Sequence, residues 1–457
     1  MNSLRISLVV FAGLALFSCE DFLDVPPQGV LLEQDALQTP EDYEELLNSC
    51  YDVAANTYNG RLQNLFELLG DNLSAPNNNS DYNEVYNRNM LFFNSTIGGT
   101  YGEPYIIIYR SNTLIERISG SGLTPERQTS MSGEAHFLRG LAHFELVRGW
   151  AQPFGYTSDN SHAGIQLKTS SEPILGGRNS VAEVYNQIIA DLLRAETELP
   201  DNNGVYATKS AAQAVLAKVY FQMNDYAKAA EYANKVINTG LYTLEDSTDR
   251  FLQNVVSSEA IFSTISRFED QRSGTLSGNY RSDLSNANPT LRASLEFYNT
   301  YGLDTTDLRS RWIELRNPGQ PNQYVAITKF NKDYFNIPVL HLTDIKLIRA
   351  ESLGRLNQDL STAIQDINDI RERAFGNNSR NLNSGVGAAT VVEAARYERR
   401  IEMLGEGDRV QDLKRLGALG DITTIRNAPW NCPGMVLQFP IVEQTDLFEL
   451  NETGGCN

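Results

Sequence analysis

The chain has 457 residues and a formal net charge of −19, from 38 Lys and Arg against 57 Asp and Glu. This length is enough for a sizeable hydrophobic core. Because an acidic chain without Lys or Arg clusters repels phosphate backbones, we expect no nucleic-acid partner.

The N-terminus has the pattern of a bacterial lipoprotein export signal. Arg5 precedes an apolar run over 6–17, and Ser18 and Cys19 follow it. The run is about a dozen residues, shorter than the ~20 that a helix needs to cross a bilayer. We therefore predict a signal peptide over 1–18, a lipid on Cys19 and a tether over 19–40. A plain secretory signal with an incidental cysteine is the alternative.

Apolar residues at helical spacing predict most of the remaining chain to be helical. The pair at 211–223 and 227–238 has tetratricopeptide-like small and aromatic positions, and 342–374 is a weaker copy of it. We predict a mainly α fold, with 41–457 as a single domain and a scaffold of stacked helix pairs over 105–150, 181–238 and 342–416. The predicted helices cover 42–55, 105–118, 132–150, 181–199, 211–223, 227–238, two halves of 342–374, and 391–416.

Two loop-rich portions interrupt the helical pattern, at 71–104 and 249–336. The second contains minor β-like runs at 260–265 and 324–330. Loop-rich segments of this size on a helical scaffold usually carry function. We therefore expect the ligand-binding part of the protein here.

Both portions mix aromatic rings with polar side chains. A sugar site needs rings to stack on the apolar face of a pyranose, and Asn, Asp, Gln or Arg to bind its hydroxyls. For each ring the alternative is packing against the scaffold, and we expect Trp150 and Trp312 in the core. The candidate ligand-binding residues are Asp71, Asn72, Tyr82, Tyr86, Arg88, Phe93, Arg272, Tyr280, Arg281 and Tyr298.

Other reactive side chains have simpler interpretations than catalysis or metal binding. His136 and His143 lack the spacing of a zinc pair, so core or capping roles are expected. The ladder of Glu398, Glu402 and Glu406 interleaves with arginines 399, 400 and 409, which favours an internal salt-bridge network over a glycosidase carboxylate pair. We expect no enzyme activity, no cofactor and no metal.

The cysteines divide by position. Cys50 lies within a predicted amphipathic helix, where a buried thiol is expected. Cys432 and Cys456 lie near the C-terminus and could pair in an oxidising compartment. The sequence leaves this disulfide open.

Several short motifs occur together in a fixed order. They are Cys-Glu-Asp-Phe-Leu-Asp at 19–24, Gly-Glu-Ala at 133–135 with Leu-Arg-Gly at 138–140, Asp-Tyr at 225–226, Arg-Ala-Glu at 349–351, Ile-Asn-Asp-Ile-Arg at 367–371, Glu-Arg-Arg-Ile-Glu at 398–402, Glu-Gly-Asp-Arg at 406–409 and Phe-Pro-Ile at 439–441. In these motifs and their order the chain resembles the SusD/RagB family of outer-membrane nutrient-binding lipoproteins of the Bacteroidetes, over nearly its whole length.

The resemblance implies a SusD-like fold and a non-catalytic protein. It implies a lipoprotein that captures an oligosaccharide or polysaccharide and delivers it to a SusC-like TonB-dependent transporter. Glu20 and Asp21 directly after Cys19 imply an outer-membrane position facing the cell exterior. A peptide-capturing RagB-like lipoprotein, a lipid-anchored scaffold for protein–protein interaction and a lipid-anchored glycosidase are the alternatives.

Overall fold

The computed structural model describes residues 37–456. The predicted signal peptide, Cys19 and the tether up to residue 36 lie outside the described residues. No helix within 37–456 combines the length and the apolar character needed to cross a membrane.

The first half of the described chain is helical. Its helices are α1 (Pro40–Thr57), α2 (Arg61–Leu69), α3 (Ser80–Tyr86), α4 (Ser95–Arg117), α5 (Pro125–Trp150), α6 (Val181–Glu198), α7 (Lys209–Gln222) and α8 (Tyr226–Ile237).

The second half mixes short strands with helices. In chain order these are β1 (Ala260–Thr264), α9 (Gly274–Tyr280), α10 (Leu295–Tyr301), β2 (Ile313–Arg316), β3 (Tyr324–Ile327), β4 (Ile337–His341), α11 (Leu342–Leu356), α12 (Leu360–Phe375), α13 (Ala388–Glu402), α14 (Arg409–Ala418), β5 (Thr424–Ile425) and β6 (Ala428–Pro429).

Side-chain caps fix where several helices begin. Thr39 and Ser180 each form a capping box at the start of α1 and α6. The side chain of Asn94 accepts a hydrogen bond from the backbone nitrogen of Ile97 at 3.1 Å, so α4 begins ten residues before the predicted position 105. The other helices predicted up to residue 375 are confirmed within a few residues, except that α5 begins seven residues early.

The helices pack as antiparallel neighbours along the chain. Contacts join α4 to α5, α5 to α6, α7 to α8 and α11 to α12, and α11 also packs on α8 and α13. Ala217 and Ala229 have no exposed surface, which allows α7 and α8 to approach closely. The mainly α, tetratricopeptide-like scaffold is confirmed.

The last predicted helix was wrong as a single element. The segment 391–416 is divided between α13 and α14, because Gly405 and Gly407 have positive φ values of 79° and 88°. A Cβ atom at Gly407 would lie 2.9 Å from the Cα of Gln63, so this turn also needs a glycine for space. The break places Asp408 in the interior.

Within residues 37–456 the strands form three two-stranded antiparallel sheets. β1 pairs with β4, β2 pairs with β3 from Ile313–Ile327 to Arg316–Tyr324, and β5 pairs with β6. The two predicted β-like runs are therefore confirmed, over 260–264 and 324–327. Their partners β2 and β4 were not predicted.

Buried ion pairs join the helical scaffold to the loop-rich portion. Glu402 has no exposed side-chain surface and contacts Arg309 at 2.9 Å, Arg250 at 3.0 Å and Arg373 at 2.9 Å. Glu406 contacts Arg250 at 2.6 Å. The predicted salt-bridge network exists, but the arginines that pair with the glutamates come from distant segments. The glutamates face the interior, where they meet those arginines. Arginines 399, 400 and 409 point elsewhere and pair with other carboxylates.

A second buried cluster lies at the turn before α14. Asp408 accepts hydrogen bonds from Lys218 and Arg148, both at 2.8 Å, and Lys218 also contacts Asp344 at 2.9 Å. Arg399 pairs with Asp344 as well. These contacts connect α5, α7, α11, α13 and α14.

The C-terminal tail returns to the end of α5. The backbone nitrogen of Leu437 donates to the oxygen of Gly149 at 2.9 Å, and the indole of Trp150 donates to the oxygen of Gln438 at 3.1 Å. A disulfide joins Cys432 to Cys456, with 5.3 Å between their Cα atoms. Residues 432–456 therefore complete the packing of an early helix.

Candidate functional site

The two predicted loop portions meet in the structure. The backbone nitrogens of Ser74 and Asn77 donate to the oxygens of Arg292 and Thr290, at 3.0 and 2.9 Å, and Leu73 bridges Ala293. Ala293 in turn bridges β3. We call residues 71–79, 288–298 and Tyr324 the joined-loop surface.

This surface carries a cation–ring pair that contacts the side-chain amide of Asn288. The Arg292 guanidinium lies 4.3 Å from the centre of the Tyr324 ring and donates to the Asn288 side-chain oxygen at 2.5 Å. Asn78 and Asn288 are exposed, whereas Arg292 and Tyr324 are half-buried. A ring beside amide and guanidinium groups is the combination that a pyranose requires. Neither Arg292 nor Tyr324 was predicted as a ligand-binding residue.

Asp71 and Asn72 hold the joined-loop surface in place. Arg409 of α14 makes two hydrogen bonds to the Asp71 carboxylate, at 2.6 and 2.8 Å, and Arg400 donates to the Asn72 side-chain oxygen at 3.0 Å. Burial raises the pKa of Asp71, but the hydrogen bond and charge of Arg409 outweigh it and keep the pKa below its ordinary value. These residues fasten the loops to the scaffold.

Tyr82 and Tyr280 lie in the core. Tyr280 has no exposed surface and packs on Phe330, with 5.3 Å between ring centres. Tyr82 is 4% exposed, and its hydroxyl accepts a hydrogen bond from Asn64 at 3.3 Å. Burial raises the pKa of both phenols. Stacking on a sugar does not fit this burial, because the apolar faces of α3 and α9 turn these rings inward.

Tyr86 and Arg88 contact the segment before the C-terminal tail. Arg426 lies 4.0 Å from the centre of the Tyr86 ring and donates to the backbone carbonyl oxygen of Tyr86 at 2.7 Å. Arg88 is buried and donates to the oxygen of Ile425 at 2.7 Å. Both residues thus join the first loop portion to β5 and the turn that follows it.

Phe93 and Tyr298 retain exposed surface. Phe93 is 65% exposed and meets Phe92 edge to face, with 5.2 Å between ring centres. Tyr298 is half-buried on α10, which begins within the joined-loop surface. Of the predicted rings, these two and Tyr86 are the ones with surface available to a ligand.

Arg272 lies in a separate pocket, whereas Arg281 pairs with Asp283 and Asp333 at the surface. The pocket has a volume of about 280 Å³ between α1, β1 and the loop before α7, and we call it the Tyr206 pocket. Arg272 pairs there with Asp52, and the Tyr206 ring lies 4.8 Å from that of Tyr51.

The remaining reactive side chains have structural partners. His136 contacts Asp191 at 3.1 Å, and burial lowers the pKa of His143 to about 4. Cys50 is a buried free thiol whose pKa burial raises to about 12. Within residues 37–456 no group of three or more His, Cys, Asp or Glu side chains is placed to hold a metal ion.

Comparisons with known proteins give SusD-type matches over most of the chain. A family model described as "SusD family" matches residues 176–432, and one described as "Starch-binding associating with outer membrane" matches residues 21–221. SusD-like protein P25 of Formosa agariphila is 24% identical, over 92% of this chain and 91% of that protein. SusD-like protein P2 of the same organism is 26% identical, over 91% of each.

Solved structures share the fold. A SusD superfamily protein from Bacteroides thetaiotaomicron has a TM-score of 0.79 at 22% identity, covering 91% of this chain and all of that chain. The surface glycan-binding protein A from Bacteroides fluxus has a TM-score of 0.72 at 20% identity, covering 90% of this chain and 99% of that chain.

Proposed function

The chain belongs to the SusD family, and on that premise we propose that it is a carbohydrate-binding protein that captures an oligosaccharide or polysaccharide at the cell surface. In this proposal a lipid on Cys19 anchors it to the outer membrane, facing the exterior. It passes the glycan to a SusC-like TonB-dependent transporter. Two comparisons support carbohydrate binding at the outer membrane. One family model that matches the chain is described as starch-binding and associated with the outer membrane, and one protein of similar fold is named as a surface glycan-binding protein.

One observation carries the proposal for the binding site. Two loop portions more than 200 residues apart in the chain are hydrogen-bonded into one surface, which presents the Arg292–Tyr324 pair beside the exposed Asn288. A ring can stack on a pyranose, and the amide and guanidinium groups can bind its hydroxyls. We propose that a glycan chain binds across this joined-loop surface.

We propose binding without turnover. Hydrolysis of a glycosidic bond needs two carboxyl groups flanking an open cleft, about 5 to 9 Å apart. Glu402 and Glu406 of the glutamate ladder are buried and are held by Arg250, Arg309, Arg373 and Lys329. They therefore have no access to a sugar.

Affinity electrophoresis through gels that contain neutral or acidic polysaccharides would test this function. The protein would span residues 20–457, and the polysaccharide that retards it would then be titrated by calorimetry. Tyr324→Ala and Arg292→Ala are expected to weaken binding about tenfold each, which corresponds to about 1.4 kcal/mol of lost contact. Tyr156→Ala is the matched control, because this ring is 41% exposed outside the joined-loop surface.

The results of this experiment test the position of the glycan site separately from glycan binding itself. Retardation that is lost with Arg272→Ala, but not with Tyr324→Ala, would move the glycan site to the Tyr206 pocket. Binding of tryptone peptides without retardation by any polysaccharide would support the peptide-capturing alternative. Binding of neither would contradict nutrient capture and favour the scaffold alternative.

The anchor needs its own experiment. Labelled palmitate is expected in the full-length protein and absent from Cys19→Ser. Protease added to intact cells should digest the anchored protein if it faces the exterior. A wild-type protein that carries no label would refute the lipid anchor.

A further inference from the structure

A cleft of about 470 Å³ runs along one face of α4, outside the predicted ligand-binding residues. Tyr101, Tyr105 and Tyr109 recur every four residues on this face, and Tyr109 is 44% exposed. A Cβ atom at Gly102 would meet no atom within 4 Å, so the helix backbone itself borders open space. The volume is within the range of small-molecule sites, about 300 to 1,000 Å³.

Both walls of this α4 cleft are fixed to the scaffold. On one side, Asn112 donates to the oxygen of Ser170 at 2.9 Å, and the Tyr105 hydroxyl donates to the oxygen of Gln166 at 2.9 Å. On the other side, the backbone nitrogen of Ile441 donates to the oxygen of Phe92 at 2.9 Å. The cleft is therefore a formed site whose walls need no rearrangement to receive a ligand.

Two opposite charges line the cleft without pairing. Neither the Lys168 ammonium nor the Glu443 carboxylate makes a side-chain hydrogen bond or ion pair with another residue of 37–456. Burial raises the pKa of Glu443, and the charge of Lys168 partly offsets this, so the two groups lie within electrostatic range. Both side chains are half-buried, so a ligand that displaces their remaining water is favoured when it supplies the opposite charges.

We propose that the α4 cleft binds a small aromatic zwitterion, with its ring on the tyrosines, its ammonium at Glu443 and its carboxylate at Lys168. Free aromatic amino acids and short peptides with an aromatic side chain both present this chemistry. A neutral glycan would leave the two charges unpaired, whereas a zwitterion satisfies both. This site is independent of the joined-loop surface.

NMR titration of the protein spanning residues 20–457 would test the site, with free phenylalanine and the dipeptide alanyl-phenylalanine as probes. N-acetylphenylalanine and phenylalanine amide each lack one charge, and each is expected to bind about tenfold more weakly than phenylalanine. Glu443→Gln should bind phenylalanine and its N-acetyl form equally. Lys168→Met should bind phenylalanine and phenylalanine amide equally.

Lys209→Met is the matched control, because it removes an exposed lysine outside the cleft. Tyr109→Ala is expected to weaken both probes. Tighter binding of the dipeptide would identify a peptide end as the source of the ligand, and tighter binding of phenylalanine would identify the free amino acid. Absence of binding by both probes, or binding that Glu443→Gln and Lys168→Met leave unchanged, would overturn the proposal without affecting the glycan site.

Discussion

Substitution of Glu402 tests the role of the buried ion network. Its carboxylate contacts three guanidinium groups, those of Arg250, Arg309 and Arg373, at 2.9 to 3.0 Å with no exposed surface. Glu402→Gln removes the counter-charge that the three buried cations share, although each cation keeps a contact with another carboxylate. We expect the free energy of unfolding to fall by about 3–5 kcal/mol, the cost of breaking a buried pair from one side.

The matched control is Glu296→Gln. Glu296 makes a comparable 2.8 Å contact with Arg400, but its side chain is 62% exposed. Solvent screens such a pair, so the control should change the free energy of unfolding by less than about 1 kcal/mol. Both variants remove one negative charge, so the difference between their free energies of unfolding measures the effect of burying that charge.

The assay is urea unfolding followed by circular dichroism and tryptophan fluorescence. A decrease for Glu402→Gln no larger than that for Glu296→Gln would refute the reasoning. The pH dependence supplies a second readout. Burial raises the pKa of Glu402, but the charges of Arg373, Arg309 and Arg250 outweigh it and hold this pKa well below its ordinary value.

A depressed carboxyl pKa stabilises the fold above the unfolded pKa, and this stability is lost as the pH falls toward the folded value. The difference between wild type and Glu402→Gln should therefore shrink below about pH 4.5, by about 1.4 kcal/mol per pH unit. A difference that stays constant down to pH 3 would contradict the assigned ion pairs.

Three further predictions concern stability. Reduction of the C-terminal disulfide, whose cysteines are 24 positions apart, should lower the free energy of unfolding by about 3–4 kcal/mol in the chain-entropy model; urea curves with and without reductant that coincide would exclude this. Gly60→Ala should cost more than about 2 kcal/mol, because φ is +120° and the new Cβ would lie 2.4 Å from the Leu276 nitrogen. Gly204→Ala, with φ of +63° and no atom within 4 Å, should cost only about 1 kcal/mol in the same urea unfolding assay. Burial raises the pKa of Glu67 to about 7. The free energy of unfolding of the wild type should therefore fall by about 3 kcal/mol relative to that of Glu67→Gln as the pH rises from about 4.5 to 7. A difference between the two proteins that does not change with pH would contradict the burial of an ionisable carboxyl.

Helical spacing predicted α1, α6, α8 and α12 because each of these helices buries one face. α7 and α11 are buried on almost every side, but their 14 and 15 residues were long enough to indicate a helix. α2 is also buried from Leu62 to Leu69, and its nine residues are too few for a periodic pattern to be detected. The break between α13 and α14 depends on close contact of Gly407 with a helix more than 300 residues away. The Gly-Glu-Gly run at 405–407 is a local turn signal, but it does not show which helix the turn contacts.

Composition located the loop portions but not the orientation of their rings. Tyr280 is adjacent in sequence to the surface residue Arg281, yet it is buried because α9 turns it toward Phe330. The Arg292–Tyr324 pair joins a loop to a strand, which neither segment indicates alone. The α4 tyrosines were detectable, since their spacing of four beside Gly98 and Gly102 marks one open helix face.

The return of the tail to α5 sets an order for biosynthesis. Trp150 is fully buried, and the Phe439 ring lies 5.6 Å from that of Tyr101, so residues made last cover rings made early. While the ribosome still holds the C-terminus, the early helices lack this cover and the cooperative unit is incomplete. A stop codon near residue 430 would remove this returning tail and expose the apolar junction between two long helices. The finished fold therefore forms only after residues 432–456 have left the ribosome.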